Sequence, residues 1–69
     1  PPSFWCTDVT DRSVLLHYKS HRAGLAPMVK GLVRGLGQMF DTEVRLEHLR
    51  GPADGADHDQ FRIEYQPRV

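Results

Sequence analysis

Tyr18, Ser20 and Arg22 place three anion-binding side chains two residues apart in the sequence. In an extended strand, residues at i, i+2 and i+4 point to the same side. Two hydroxyl donors and a guanidinium fork then face one spot, and a guanidinium holds a carboxylate through two parallel hydrogen bonds. The spacing predicts a site at the rim of a strand for a ligand that carries carboxylates. On spacing alone, an ordinary strand end with a surface arginine is the alternative.

The four histidines do not form a pattern that predicts a metal site. His17 and His21 are four residues apart, but they flank the junction between a predicted strand and a predicted helix, so they do not share a helical face. His48 and His58 lie in separate segments, and the single cysteine, Cys6, supplies no paired ligand motif. We therefore expect no metal site built from protein side chains alone.

A catalytic interpretation rests on the tripeptide Asp57-His58-Asp59, which resembles a base held by a carboxylate. No nucleophile motif accompanies it, and the residues that follow are typical of a strand. An acidic loop that leads into a strand is the preferred interpretation. Cys6 is expected to be a packed, unreactive thiol, because nothing in the sequence indicates a lowered pKa.

The composition limits the classes of function. Sixty-nine residues suffice for one small domain, and a net charge of +0 argues against a broad electrostatic surface for nucleic acid. One cysteine allows no internal disulfide, and no run approaches the roughly 18 apolar residues of a membrane span. We expect a cytoplasmic protein. The Pro1-Pro2 start without an initiator methionine indicates a piece of a longer chain.

Hydrophobic periodicity predicts an α+β fold with a four-stranded antiparallel sheet in the order β-β-α-β-β and one helix packed on one face. Aromatic and β-branched residues mark a first strand, and three further segments alternate between apolar and polar residues. Thr10 and Asp11 are expected to organise the first turn. The predicted strands cover residues 3–9, 13–20, 42–49 and 58–65, and the predicted helix covers residues 24–40.

The predicted helix carries eight apolar residues at helical spacing, which we interpret as one stripe facing the sheet with Leu32 at its centre. Lys30 and Arg34 then fall on the opposite, solvent-facing side. Gly31 and Gly35 are four residues apart and form a smooth strip. The strip suits either close packing against the sheet or the approach of a flat ligand.

Together these features resemble the H-NOX (haem nitric oxide/oxygen binding) family, which includes the haem domain of soluble guanylate cyclase. Pro2 lies sixteen positions before Tyr18, where the family places a proline that presses on the haem. The chain is most similar to the guanylate cyclase β-subunit version, and the similarity extends over roughly residues 2–65. The similar segments are residues 6–8, 16–18, 22–25, 42–44 and 57–61.

The resemblance implies that residues 1–69 are the C-terminal α/β subdomain of a haem-binding gas sensor. It implies haem b as cofactor, with Tyr18, Ser20 and Arg22 on the propionates and Pro2 against the porphyrin. The axial histidine is expected in a helical N-terminal part outside this chain. The domain is expected to be regulatory and not enzymatic, to detect nitric oxide or oxygen, and to signal to a guanylate cyclase, histidine kinase or chemotaxis receptor.

Two alternatives come from other classes of protein. One is a small α+β protein-interaction module without haem, which would dock through its polar strand faces and the basic helix residues Lys30 and Arg34. A weaker one is a hydrolase-like or redox fragment that uses His58 or Cys6. A helix with a histidine roughly a dozen residues upstream of Pro1 would distinguish the sensor from the interaction module.

Overall fold

The computed structural model describes residues 2–21 and 26–68, and within them it shows the predicted α+β fold. One helix covers one face of a four-stranded antiparallel sheet, in the chain order β-β-α-β-β. A short 3-10 turn at Pro52–Asp54 interrupts the loop between the last two strands. The elements are β1 (Ser3–Thr7), β2 (Ser13–Lys19), α1 (Ala26–Met39), β3 (Thr42–Arg50) and β4 (Asp59–Pro67).

The sheet has the spatial order β1-β2-β4-β3, so β2 and β4 lie in its centre and β1 and β3 form its edges. Leu16 faces Cys6 on β1 and Phe61 on β4, which fixes the register of the three strands. Side chains alternate across this register. Tyr18 and Phe61 consequently point to the helix side of the sheet, while His17 points to the open side.

The β1–β2 connection is a tight turn organised by Thr10, as predicted. The Thr10 backbone N–H donates to the Ser13 carbonyl at 2.8 Å, and the Thr10 hydroxyl oxygen accepts from the Ser13 N–H at 3.0 Å. The first strand is shorter than the predicted 3–9 and ends at Thr7. The reason is local, because Asp8 has a φ of 51°, a left-handed conformation that no strand contains.

The core is small and lies between α1 and one face of the sheet. Its buried apolar side chains are Tyr18, Val29, Phe61 and Ile63. Partly buried apolar residues from all layers pack against these four, among them Leu16, Ala26, Val33, Val44, Leu46 and Tyr65.

The helix packs in a different rotation from the predicted one. Leu32, the expected centre of the core stripe, is 55% exposed, whereas Val29 is fully buried. The prediction treated all eight apolar residues as one stripe, but those that lie on α1 form two rows. The row at Val29 and Val33 faces the sheet. The second row is exposed and consists of Met28, Leu32, Leu36 and Met39.

Gly37 explains this rotation. A Cβ added there would lie 2.7 Å from Val44 Cγ2 and 3.0 Å from the Thr42 carbonyl oxygen, so only glycine allows β3 to approach this closely. Gly31 and Gly35 are exposed, and an added Cβ at either would have no atom within 4 Å. The expectation that these two glycines accommodate the sheet is therefore wrong.

Candidate functional site

Tyr18 lies at the end of β2 and is 1% exposed. Its ring packs against Phe4, with 4.8 Å between the ring centroids, and its direct partner on β4 is Asp59. Within residues 2–21 and 26–68, the buried Tyr18 hydroxyl has no hydrogen-bond partner. A buried hydroxyl without a partner costs about 1–3 kcal/mol. A ligand oxygen that accepts a hydrogen bond would remove this cost.

Tyr18 and Ser20 line the same cleft, which has a volume of about 380 Å³. The start of α1 at Ala26, the 3-10 turn and the start of β4 form its other walls. Arg22, the third predicted anion-binding residue, lies outside the described residues. The structure thus places Tyr18 and Ser20, which the sequence spacing pairs, along the same cleft.

Pro2, the fourth predicted site residue, is exposed and directly precedes β1. The β1–β2 ladder pairs Ser3 with Lys19. Pro2 therefore lies at the same end of the sheet as Ser20. It is not one of the described residues that line the cleft.

A histidine–aspartate pair forms part of the cleft wall. His48 Nε2 lies 2.9 Å from Asp59 Oδ1, and the His48 ring stacks on Phe61 with 4.5 Å between the centroids. A Cβ at Gly51 would collide with the Asp59 carboxylate, so this glycine makes room for the pair. Sequence analysis did not find the pair, because its members lie on different strands and meet only through the β3–β4 register.

The open face of the sheet carries a second polar cluster. His17 Nδ1 lies 2.8 Å from His58 Nε2, and His17 Nε2 lies 2.7 Å from the Thr7 hydroxyl. The Trp5 ring stacks on His17 at 5.0 Å and also contacts His58 at 4.7 Å. His17 is only 8% exposed. We refer to His17 and His58 as the histidine pair.

Asp57 joins the histidine pair to Lys19. The Lys19 ammonium donates to both Asp57 oxygens at 3.1 Å, and His58 Nδ1 lies 3.3 Å from Asp57 Oδ2. Hydrogen bonds, first from Lys19 and then from His58, lower the pKa of Asp57 below its ordinary value. This exposed carboxylate therefore stays ionised and remains an acceptor for both groups.

Burial lowers the pKa of His17 below its ordinary value of 6.5, and the neighbouring His58 lowers it further. The carboxylate of Asp8 acts in the opposite direction. The net effect keeps His17 neutral to lower pH than a free histidine. No local pattern predicted the histidine pair, because its members are 41 positions apart and meet through the position of the segment before β4.

Among the described residues, no group of three or more histidine, cysteine, aspartate or glutamate side chains is placed to hold a metal ion. Cys6 is a free thiol and is exposed, so the expectation that it packs in the core is wrong. In the part of the chain that the structure describes, no helix is long and apolar enough to cross a membrane.

The fold and the site define a small α+β unit whose central strand ends at a cleft with two hydroxyl side chains. The family model described as Haem-NO-binding matches residues 1–48 of this chain. The chain belongs to this haem-NO-binding family, and haem, nitric oxide and gas sensing are the properties that define it.

The chain is also similar to three soluble guanylate cyclases of Caenorhabditis elegans. It is 52% identical to soluble guanylate cyclase gcy-35 over 44 residues, 42% identical to gcy-31 over 50 residues and 41% identical to gcy-32 over 46 residues. These alignments cover 62%, 71% and 65% of this chain. They cover only 6% or 7% of the length of the relatives.

Proposed function

We propose that residues 1–69 form the subdomain of a haem-based gas sensor that holds the haem propionates. The observation that carries the proposal is the buried Tyr18 hydroxyl, which has no partner among the described residues and lies beside a cleft shared with Ser20. A propionate oxygen in this cleft would accept the hydrogen bond that the hydroxyl lacks. The residues present therefore fit the cofactor that the family binds.

In this proposal Tyr18 and Ser20 donate hydrogen bonds to the propionates of haem b, and Arg22 supplies a charge-assisted bond. Haem supplies the iron that takes nitric oxide or oxygen. The axial histidine comes from outside this chain. Three of the four histidines already have side-chain partners, which supports that assignment: His17 and His58 contact each other, and His48 contacts Asp59.

We further propose that Pro2 contacts the porphyrin and transmits a change in its shape to the sheet. Proline has a fixed φ, so it is a stiff contact. The position of Pro2 at the start of β1 supports a mechanical connection, because β1 pairs with the strand that carries Tyr18. The output is regulation of a guanylate cyclase in the cytoplasm, in keeping with the relatives, and a histidine kinase or chemotaxis receptor is the alternative output.

The exposed row on α1 supports the assignment of residues 1–69 as one part of a larger domain. Met28, Leu32, Leu36 and Met39 are all about half exposed or more, and they lie along one side of the helix. Such a row is usually covered in a native assembly. The same row favours the second candidate, a protein-interaction module without haem, in which a protein partner covers it.

The test is haem retention by the haem-loaded domain that contains this chain. Arg22→Ala and Ser20→Ala should each accelerate haem transfer to an acceptor protein, Arg22→Ala more strongly because a charged hydrogen bond contributes more than a neutral one. Arg45→Ala is the matched control, because Arg45 is exposed on β3 and does not line the cleft. Equal transfer rates for all three variants would contradict the proposal and favour the interaction module.

A further inference from the structure

The histidine pair allows only a limited set of protonation states. At 2.8 Å between His17 Nδ1 and His58 Nε2, one proton lies between the two nitrogens. Two lone pairs, or two N–H groups, would repel each other at this distance. The contact therefore requires that exactly one of the two facing nitrogens carries hydrogen.

The neutral pair satisfies this condition in two ways. If His17 donates from Nδ1, its Nε2 accepts from the Thr7 hydroxyl and His58 Nδ1 donates to Asp57. If His58 donates from Nε2, His17 Nε2 donates to Thr7. A first added proton is also compatible, because it occupies the free outer nitrogen and leaves a single proton between the rings. A second added proton is not compatible, because both facing nitrogens would then carry hydrogen.

The pair holds one wall of the cleft to β2. Asp57, His58 and Asp59 all line the cleft that Tyr18 and Ser20 share. His58 is fixed by His17 on β2, and Asp57 is fixed by Lys19 on the same strand. These contacts lie within two residues of Tyr18 along β2. The loss of the His17–His58 bond would thus remove the contact that holds His58 to β2, directly beside the proposed ligand site.

We propose that the histidine pair is a proton-controlled link that keeps residues 57–59 against β2 and so closes the ligand cleft, and that addition of the second proton opens it. The effect on haem rests on the proposed function of the cleft, whereas the opening of the wall does not. The link is closed in the protonation states that carry at most one extra proton, because these keep a single proton between His17 and His58.

The charged groups that face the pair determine when the second proton binds. Asp8 follows β1, Lys19 lies on β2, Arg62 lies on β4 and Asp57 precedes β4. Asp57 and Asp8 favour a positive pair, while Lys19 and Arg62 oppose it. Trp5 and Gln60 are the uncharged residues that face His17 from β1 and β4. Burial of His17 adds to the opposition and lowers the pKa of that residue.

The first arm of the test is a histidine NMR titration of the haem-free 69-residue chain between about pH 7.5 and about pH 5. We expect two-step titration of the pair, with the second step accompanied by faster amide exchange at residues 57–59. The ring signals of the exposed His21 serve as an internal control. His17→Phe keeps a ring against Trp5 but takes up no proton. In this variant, amide exchange at residues 57–59 should no longer become faster on acidification. His48→Gln removes a histidine from the same cleft, and in this variant the acceleration of exchange should remain.

The second arm measures haem release from the haem-loaded domain at the same two pH values. Acidification should accelerate release about five-fold more in the unaltered domain than in His17→Phe, since one hydrogen bond is lost only in the former. Persistence of the shared proton at about pH 5, or equal acceleration in both proteins, would overturn the proposal. Failure of the proposed haem function can be distinguished from failure of the link. In that case Ser20→Ala and Arg22→Ala would not change the rate of haem release, while the titration of the haem-free chain would still test the link.

Discussion

Tyr18 and Asp59 are direct partners across the β2–β4 ladder, and both line the cleft assigned to the haem propionates. A hydroxyl donor and a carboxylate therefore share one wall. His48 Nε2, 2.9 Å from the Asp59 carboxylate, offsets the negative charge there when His48 is protonated. The proposed propionate site would hold an anion in spite of Asp59, and this has a measurable consequence.

Asp59→Asn should slow haem release from the haem-loaded domain. The substitution removes a negative charge beside the propionates and retains an oxygen that can accept from His48. Asp11→Asn is the matched control, because Asp11 lies in the β1–β2 turn away from the cleft. Faster release from Asp59→Asn than from the control would show that no propionate approaches Asp59.

The packing rotation of α1 predicts the relative stability of two helix variants. Val29→Ala should lower the free energy of unfolding by about 1.5–3 kcal/mol, because it removes two buried methyl groups from a closed core. Leu32→Ala should change it little, since Leu32 is more than half exposed. Thermal or urea unfolding of the 69-residue chain measures both. A larger loss of stability for Leu32→Ala than for Val29→Ala would contradict the helix rotation described above.

Substitution of the α1 glycines by alanine should change the free energy of unfolding in opposite directions at different positions. Gly31→Ala and Gly35→Ala should each stabilise the chain by up to about 1 kcal/mol, because alanine favours the helix and meets no neighbouring atom. Gly37→Ala should destabilise it by about 1–3 kcal/mol, because its Cβ would press on Val44 and the Thr42 carbonyl. The same unfolding measurement tests all three variants. Stabilisation by Gly37→Ala would contradict the close approach of α1 to β3.

The histidine pair predicts a loss of stability on mild acidification. The pKa of His17 is lowered in the folded chain, so the unfolded chain binds more protons between that lowered pKa and about 6.5. The free energy of unfolding should therefore fall as the pH drops through this window. Unfolding midpoints for the parent chain and His17→Phe should show a smaller pH dependence in the variant.

A second, more acidic loss of stability should follow from Asp57. The hydrogen bonds of Lys19 and His58 lower the pKa of Asp57, so the stabilisation is present above 3.8 and is lost as the pH falls through the lowered value. Asp57→Asn should remove this part of the pH dependence and leave the pH dependence that arises from His17 unchanged. If the free energy of unfolding of Asp57→Asn falls at acidic pH as it does in the parent chain, the ion pair with Lys19 does not stabilise the fold.

Local patterns predicted the parts of this molecule that depend on local geometry. Strand alternation is enough to predict the sheet and to place Tyr18 and Ser20 on one side, because the two-residue period is a property of the strand itself. Periodicity also predicted the element order, and the family resemblance added the identity of the ligand. The family match confirms haem binding as a family property, whereas the roles of Tyr18, Ser20, Arg22 and Pro2 stay predictions.

Tertiary contacts determine the remaining features, which sequence periodicity does not show. Six of the eight stripe residues lie on α1 and cover a wide arc, and the fit of Gly37 against Val44 decides which part of it faces the sheet. The contact of His17 with His58 depends on the β2–β4 register and on the path of the loop before β4.

Tyr18→Phe tests the central claim most directly, because the proposal predicts opposite effects on two measurements. In the haem-free chain, loss of a buried hydroxyl that has no partner among the described residues should leave the unfolding midpoint unchanged or raise it. In the haem-loaded domain, the same change removes a donor to the propionates and should accelerate haem release about five-fold, equivalent to one neutral hydrogen bond. An unchanged release rate, or a lowered unfolding midpoint in the haem-free chain, would contradict the account.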